Sequence, residues 1–234
     1  MMTKLKNLSI TLKTRPNGMI DSENFSKKIS DVEALRENQV LIKVLYLSLD
    51  PYMRGRMSEA KSYADPLKIG EIITAESAGI VIESKSTKYS VGEYVCCRSG
   101  WQEYFISNDK DPMTYKVDPK LVPLSTYLGV CGMTGRTAYF GLMKEASPSK
   151  GETLVVSAAS GAVGSIVGQI GKKIGLNVIG IAGSDEKCNY VVDELNFDGC
   201  VNYKSAFFRD ELASELNSGV DIYFESVGGL VTET

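Results

Sequence analysis

Two textures of hydrophobic and polar positions divide the chain. Up to about residue 126 the apolar runs are short and turn-punctuated: QVLIKVLYLSLDP (39–51), halted at Asp50-Pro51, ESAGIVIES (76–84) and GEYVCCRS (92–99), parted by segments rich in Gly, Ser and Lys. Val, Ile and Tyr suit a pleated surface, while Gly and Pro punctuate it. Strands at that spacing without intervening helices predict a barrel or sandwich. Thereafter TGRTAYFGLMKEA (134–146) has helical periodicity, and beyond Gly151 strand-like and helix-like patterns alternate.

That alternation can be laid out element by element. TLVVSA (153–158) predicts a strand, AVGSIVGQIGKKIG (162–175) a helix stopped at Gly175, and NVIGIAG (177–183) a second strand. SDEKCNYVVDELN (184–196) predicts a helix with Ser184 as N-cap, CVNY (200–203) a strand, FFRDELASELNSG (207–219) a helix and VDIYFES (220–226) a fourth strand. Continuous rather than alternating hydrophobicity in the strands means burial on both faces, as in a parallel sheet covered by helices. The fold class is α/β, a doubly wound parallel sheet preceded by a β-rich domain.

Composition narrows the chemistry. With 234 residues, 43% of them hydrophobic, the chain can bury a sizeable core. The formal charge of −3, with both signs interspersed, provides no basic stripe for nucleic acid and no anchor for a membrane surface. The N-terminal MMTKLKNLSITLKTRPNG lacks a continuous apolar secretory core, so a cytoplasmic protein is expected. The five cysteines fall into neither a disulfide framework nor repeated Cys-x-x-Cys spacing, and adjacent Cys96 and Cys97 on a strand would point to opposite faces. There is no histidine, which removes the commonest catalytic base and the commonest zinc ligand. No metal is expected, and chemistry must lean on a cofactor, Tyr, Lys or carboxylates.

The first strand-to-helix junction carries the clearest motif. Ala159-x-Gly161-x-x-Gly164, with Ala162 and Val163 between the glycines, fits the G-x-G-x-x-G/A turn with alanine in first place. Gly161 would let the backbone approach a pyrophosphate, Gly164 would allow close helix packing, and the helix start would offer free N–H groups. The competing reading is tight packing with no ligand; the strand before and helix after favour a dinucleotide. The second strand ends at Gly183-Ser184, followed by Asp185, Glu186 and Lys187. Lys187 could neutralise a 2′-phosphate and Asp185 could instead take a ribose, so spacing leaves NADP and NAD both open. Tyr203 follows the third strand at its carboxyl end, where open α/β sheets bind ligands.

LYLSLDPYMRGRM (45–57), SGWQEYFIS (99–107), GVCGMTGRTAYFGL (129–142), GETLVVSAASGAVGSIVGQIGK (151–172), AGSDEKC (182–188) and DIYFESVGG (221–229) together resemble the NADPH-dependent alkenal/one oxidoreductases of the zinc-free medium-chain dehydrogenase/reductase superfamily. That group comprises prostaglandin reductases, leukotriene B4 dehydrogenases, plant double-bond reductases and bacterial curcumin reductases. The resemblance implies a GroES-like β-barrel substrate domain over 1–126 and a Rossmann domain over 127–234, with NADPH and substrate between them. It implies that Gly161 to Gly164 hold the pyrophosphate, that Lys187 and Tyr203 meet the 2′-phosphate, resolving the choice toward NADPH, and that Met133 and Thr134 lie along the cofactor. Thr74-Ala75-Glu76 stands where zinc alcohol dehydrogenases carry Gly-His-Glu.

There are two departures from the family pattern. Ser226 replaces the usual Asn before VGG, a shorter group at a cofactor contact. Family chains also continue through two more strands and a return segment, so the sequence, ending at Thr234, is expected to be C-terminally truncated, with its fourth strand an unpaired edge. The implied reaction is hydride transfer to the β-carbon of an α,β-unsaturated ketone or aldehyde, with charge developing on the carbonyl oxygen. Tyr52 is the foremost candidate donor to that oxygen and Arg54 the second; the alternative for Tyr52 is packing on the barrel rim. Trp101 could wall the substrate pocket or pack against the barrel. A quinone reductase on the same scaffold and a non-catalytic nucleotide-binding fragment are the alternatives, and a homodimer is implied by resemblance.

Overall fold

The computed structural model describes residues 5–61 and 64–234, so the first four positions of the N-terminal stretch lie outside the described residues. Two compact units divide the chain, Met1–Leu128 and Gly129–Thr234.

The first unit is antiparallel. Strands β1 (Lys6–Leu12) and β2 (Phe25–Asp31) form a hairpin, with Lys6 opposite Asp31 and Leu12 opposite Phe25. Strand β3 (Gln39–Leu47) leads through Asp50-Pro51 into the short helix α1 (Tyr52–Arg56), then come β4 (Ser77–Ser84), β5 (Tyr94–Cys97), β6 (Tyr104–Asn108) and β7 (Tyr115–Val117). The five later strands make one sheet in the order β6-β3-β4-β5-β7. The hairpin joins this unit through backbone bonds, Ile10 N to Trp101 O at 2.8 Å and Ile73 N to Ile10 O at 3.0 Å. Strands at 39, 76 and 92 stand where the hydrophobic runs predict them; the hairpin and β6 were not legible, because their residues mix polar and apolar positions and their pairing partners are remote. Cys96 and Cys97 enter different apolar clusters, one with Leu124 and Leu128, the other with Val40 and Ile42, as alternation on a strand requires.

The second unit alternates strand and helix. Helix α2 (Met133–Phe140) widens into a π-turn at Gly141–Ala146, so the predicted helix over 134–146 changes pitch midway. Then follow β8 (Thr153–Val156), α3 (Gly164–Ile174), β9 (Asn177–Ala182), α4 (Asp185–Asp193), β10 (Gly199–Asn202), α5 (Phe208–Glu215), β11 (Ile222–Phe224) and α6 (Leu230–Glu233). The sheet is parallel in the order β10-β9-β8-β11, the half of a doubly wound sheet that the strand pattern predicts, with β11 paired on one side only among the described residues. Val155 packs with Ile181 and Val201 on one face, and Leu154, Val156 and Val178 fill the other, which is why these strands carry no polar alternation.

Helix α3 is held close by its missing side chains. A Cβ at Gly168 would meet the Phe197 ring at 1.8 Å, so the ring lies where a side chain would stand. Gly175 ends the helix at φ 89°, its N–H donating to Gly171 O and Lys172 O, a stop that only a residue tolerant of the left-handed region makes without strain. Helix α3 starts at Gly164 rather than at Ala162, because the chain uses 161–163 to turn.

Candidate functional site

All four parallel strands end on one edge, and the residues that leave that edge define the site. Beyond Val156 the chain turns through Ala158, a non-glycine residue at φ 46°, whose carbonyl accepts from Gly161 N at 2.7 Å. A Cβ on Gly164 would stand 2.4 Å from that same carbonyl oxygen, and one on Gly161 at 3.0 Å. Gly164 is therefore required by the turn itself, and a side chain at Gly161 would press on the same carbonyl. The first backbone bonds entering the helix are Ser165 N to Gly161 O and Val167 N to Val163 O, each 3.0 Å. Among the described residues the amides of Ala162, Val163 and Gly164 have no acceptor, and no side chain caps the helix. Open amides at the positive end of a helix dipole are a place for a phosphate.

The ends of β9 and β10 meet beside it. Tyr203 N donates to Ala182 O at 3.0 Å, and the Tyr203 ring lies so close over Gly183 that a Cβ there would approach it at 3.1 Å. Ser184 caps α4 as predicted, its hydroxyl accepting from Lys187 N at 3.3 Å. The Lys187 ammonium has no ion-pair partner among the described residues and stays available to an anion. Asp185 is placed differently: its Oδ1 accepts from Asn202 Nδ2 at 2.8 Å. The carboxylate that spacing offers to a ribose is thus hydrogen-bonded to the neighbouring strand.

The exit of β11 is organised by a residue the sequence reading passed over. Glu225 accepts from Ser157 Oγ at 3.1 Å, Gly228 N at 2.9 Å and Thr232 Oγ1 at 2.8 Å, and also from Tyr223 Oη and Val227 N. Partial burial by itself raises this carboxyl, but the surrounding donors outweigh it and hold it at about 2. Burial and the adjacent carboxylate push the Tyr223 phenol up to about 12. Fully buried Ser157 also accepts from Ser226 N at 2.7 Å, so the turn after β11 is fastened to the turn after β8. Ser226 itself is exposed. The available signal was a hydroxyl and a carboxyl each immediately following an apolar strand, SA after TLVV and ES after IYF.

Other predicted residues fall elsewhere. Met133 and Thr134 open α2; the Thr134 hydroxyl donates to Gly129 O at 2.9 Å, and the Val130 carbonyl occupies the space a Cβ on Gly135 would need. In the first unit, Tyr52 begins α1 and packs against Leu12, Met53 and Ile73, which gives the rim-packing reading its due. Its hydroxyl lies near Thr74, although Thr74 Oγ1 is buried without a hydrogen bond of full geometry. Burial raises the Tyr52 phenol, the carboxylates of Asp50 and Glu76 push the same way, and Thr74 and Arg98 oppose them. The phenol therefore stays protonated and able to donate. Arg54 is engaged by backbone carbonyls of the first unit. Its Nε and Nη2 donate to the carbonyls of Gly18 and Pro16, at 3.1 and 2.9 Å to the former and 3.2 Å to the latter, so it braces a loop. Trp101 stacks on Phe25 with centroids 5.5 Å apart, the packing reading, while its Nε1 is buried without a partner.

Comparison with known proteins decides the family. The family described as the N-terminal domain of oxidoreductase matches residues 9–115, and that described as zinc-binding dehydrogenase matches residues 162–234. The chain is 45% identical over 228 residues to the NADPH-dependent curcumin reductase of Escherichia coli K12, covering 97% of this chain and 66% of that protein. With the NADP(+)-dependent 2-alkenal reductase of Nicotiana tabacum it shares 40% over 239 residues, 98% of this chain and 68% of the relative. The chain belongs to the alkenal/one oxidoreductases of the medium-chain dehydrogenase/reductase superfamily. The crystal structure of CurA from Vibrio vulnificus in complex with NADPH superposes with a TM-score of 0.92 at 47% identity, over 97% of this chain and 66% of that one. The chain thus spans about two thirds of the length of these oxidoreductases. Despite the zinc-binding name of the second family, no group of three or more His, Cys, Asp or Glu among the described residues could hold a metal ion. No helix among them is long and apolar enough to cross a membrane.

Proposed function

We propose that this protein belongs to an enzyme that reduces the carbon–carbon double bond of α,β-unsaturated ketones and aldehydes with NADPH and without a metal. The observation that carries the reading is the run of free amides at Ala162, Val163 and Gly164 beside an uncommitted Lys187 on the same sheet edge. The three amides and Gly161 would receive the pyrophosphate; Lys187 and the Tyr203 ring over Gly183 would hold the adenosine 2′-phosphate; Met133, Thr134 and Ser226 would line the remainder. When bound, NADPH supplies the hydride for the β-carbon. Tyr52 donates a hydrogen bond from its neutral phenol to the carbonyl oxygen as charge builds there, as a positioned donor does. The free thiols agree with a reducing, cytoplasmic setting. The names of the relatives, a curcumin reductase and a 2-alkenal reductase, favour conjugated enones and enals as substrates.

The test is a titration of NADPH and NADH, followed by turnover with a conjugated enone and with a quinone. NADPH should bind more tightly, and Lys187→Ala should weaken NADPH by roughly ten- to a hundredfold, the value of one charge-assisted contact, with NADH little changed. A variant that retains its preference for NADPH overturns the phosphate assignment. Turnover of the quinone in preference to the enone overturns the substrate class.

A further inference from the structure

Helix α4 and strand β10 are joined by a second pair besides Asp185 and Asn202. Cys188, buried on α4, accepts a hydrogen bond from the Cys200 thiol on β10, with the sulfurs 3.0 Å apart. Cys188 is a buried residue and Cys200 a partly buried one, packed against the core of this unit. No side chain intervenes: the space beside Cys200 belongs to Gly180, where a Cβ would stand 3.1 Å from that sulfur. Neither thiol has a place in the reduction described above.

From this juxtaposition we propose that Cys188 and Cys200 are a modification site, forming a reversible intramolecular disulfide with hydrogen peroxide that lowers affinity at the 2′-phosphate end of the nucleotide site. One sulfur attacks a peroxide oxygen, the O–O bond breaks and water leaves, giving a sulfenic acid; the other sulfur displaces its oxygen as a second water and the S–S bond forms. Two thiols lose two hydrogens and two electrons, and the peroxide is reduced to two waters. Burial raises both thiols, and their mutual contact raises Cys200 further, so little thiolate exists at neutral pH and the reaction accelerates as pH rises.

The geometry supplies the consequence. A disulfide holds its sulfurs about 2.05 Å apart, so bonding draws the first turn of α4 toward β10. Lys187 is the residue immediately before Cys188, and Tyr203 lies on the continuation of the strand that carries Cys200. The two groups assigned to the phosphate ride on the two elements that must move, and this consequence rests on the nucleotide reading above.

The experiment uses the 234-residue chain carrying Cys131→Ser, which removes the exposed thiol that could link two molecules. After treatment with hydrogen peroxide, peptide mass spectrometry should find residues 188 and 200 joined with the loss of two hydrogens, restored by dithiothreitol and absent in Cys188→Ser and in Cys200→Ser. NADPH titration should give a dissociation constant raised by about tenfold on oxidation, equivalent to one weakened charged contact, with neither single variant responding. Absence of the cross-link at alkaline pH overturns the site. A cross-link with unchanged NADPH affinity overturns the control. If the reduced protein fails to bind NADPH, the nucleotide reading falls and with it the control, while the mass measurement still decides the disulfide.

Discussion

The two units do their work with different parts of the chain. In Gly129–Thr234 the candidate site is made of main chain: amides left open where α3 starts, a carbonyl at Ala158 that closes the turn, and Gly164, where that carbonyl leaves no space for a side chain. In Met1–Leu128 the candidate chemistry rests on one side-chain oxygen, the Tyr52 phenol, set near Thr74 and the charges of Asp50, Glu76 and Arg98. A backbone site is fixed by topology, because parallel strands must all end on one edge and each crossover begins a helix there. A side-chain site is fixed by rotamer and packing, so a neighbour can alter it without altering the fold.

The largest effect should come from blocking the backbone site. In Gly164→Val the new Cβ starts 2.4 Å from the Ala158 carbonyl and 3.1 Å from Ala159 Cα, backbone atoms that cannot rotate away. Overpacking of this kind costs about 3 kcal/mol of stability, and NADPH binding should fall below detection while thermal unfolding remains cooperative. A variant that melts like the parent and binds NADPH normally would mean that the turn is not the cradle described.

Next is the side-chain site. Tyr52→Phe keeps the ring against Leu12, Met53 and Ile73 and removes only the hydroxyl. Enone turnover should fall by about a hundredfold, the usual loss of one donor to a developing oxyanion, or about 2.7 kcal/mol, with NADPH affinity unchanged. The pH profile has a fixed sign: the phenol is raised, so the donor is complete below the ordinary tyrosine range and is lost only as pH climbs through the elevated value. Equal turnover by the variant would leave Tyr52 as a packing residue of the rim.

The same contrast explains what could be read from the sequence. The parallel unit was legible because TLVV and NVIGIA declare two-faced burial, Ser184 declares a cap, and glycine spacing declares a tight strand-to-helix turn, all within a short stretch of chain. Local patterns sufficed where connections are local. The hairpin β1–β2 was not legible, since Leu8 and Ile29 face each other across a long connection and Ile29 is exposed. Side-chain commitments also escaped it: that Arg54 would reach back to Pro16 and Gly18, or that Glu225 would gather donors from Ser157 to Thr232, depends on long-range placement that no spacing encodes. Gly161 and Gly164 could be read because a tight main-chain turn favours small residues there, whereas Asp185 was ambiguous because a carboxylate can serve either a ribose or a neighbour.

That ambiguity sets the smallest and most discriminating prediction. Asp185 opens α4, where a negative charge favours the helix dipole, and it accepts from Asn202 at 2.8 Å in an exposed setting. Asp185→Ala should therefore lower stability by about 0.5–1 kcal/mol, read as a slightly lower melting temperature. NADPH affinity should change by less than about twofold, because the side chain leaves no ribose contact behind, only a partner amide that water can reach. Were the carboxylate a ribose ligand instead, NADPH and NADH would weaken together by about tenfold or more, a pattern opposite to the NADPH-selective loss expected of Lys187→Ala. The two substitutions, two residues apart on one helical turn, thus ask whether side chains on this backbone edge choose the nucleotide by attracting a phosphate or by holding a sugar, and the Asp185–Asn202 bond argues for the phosphate.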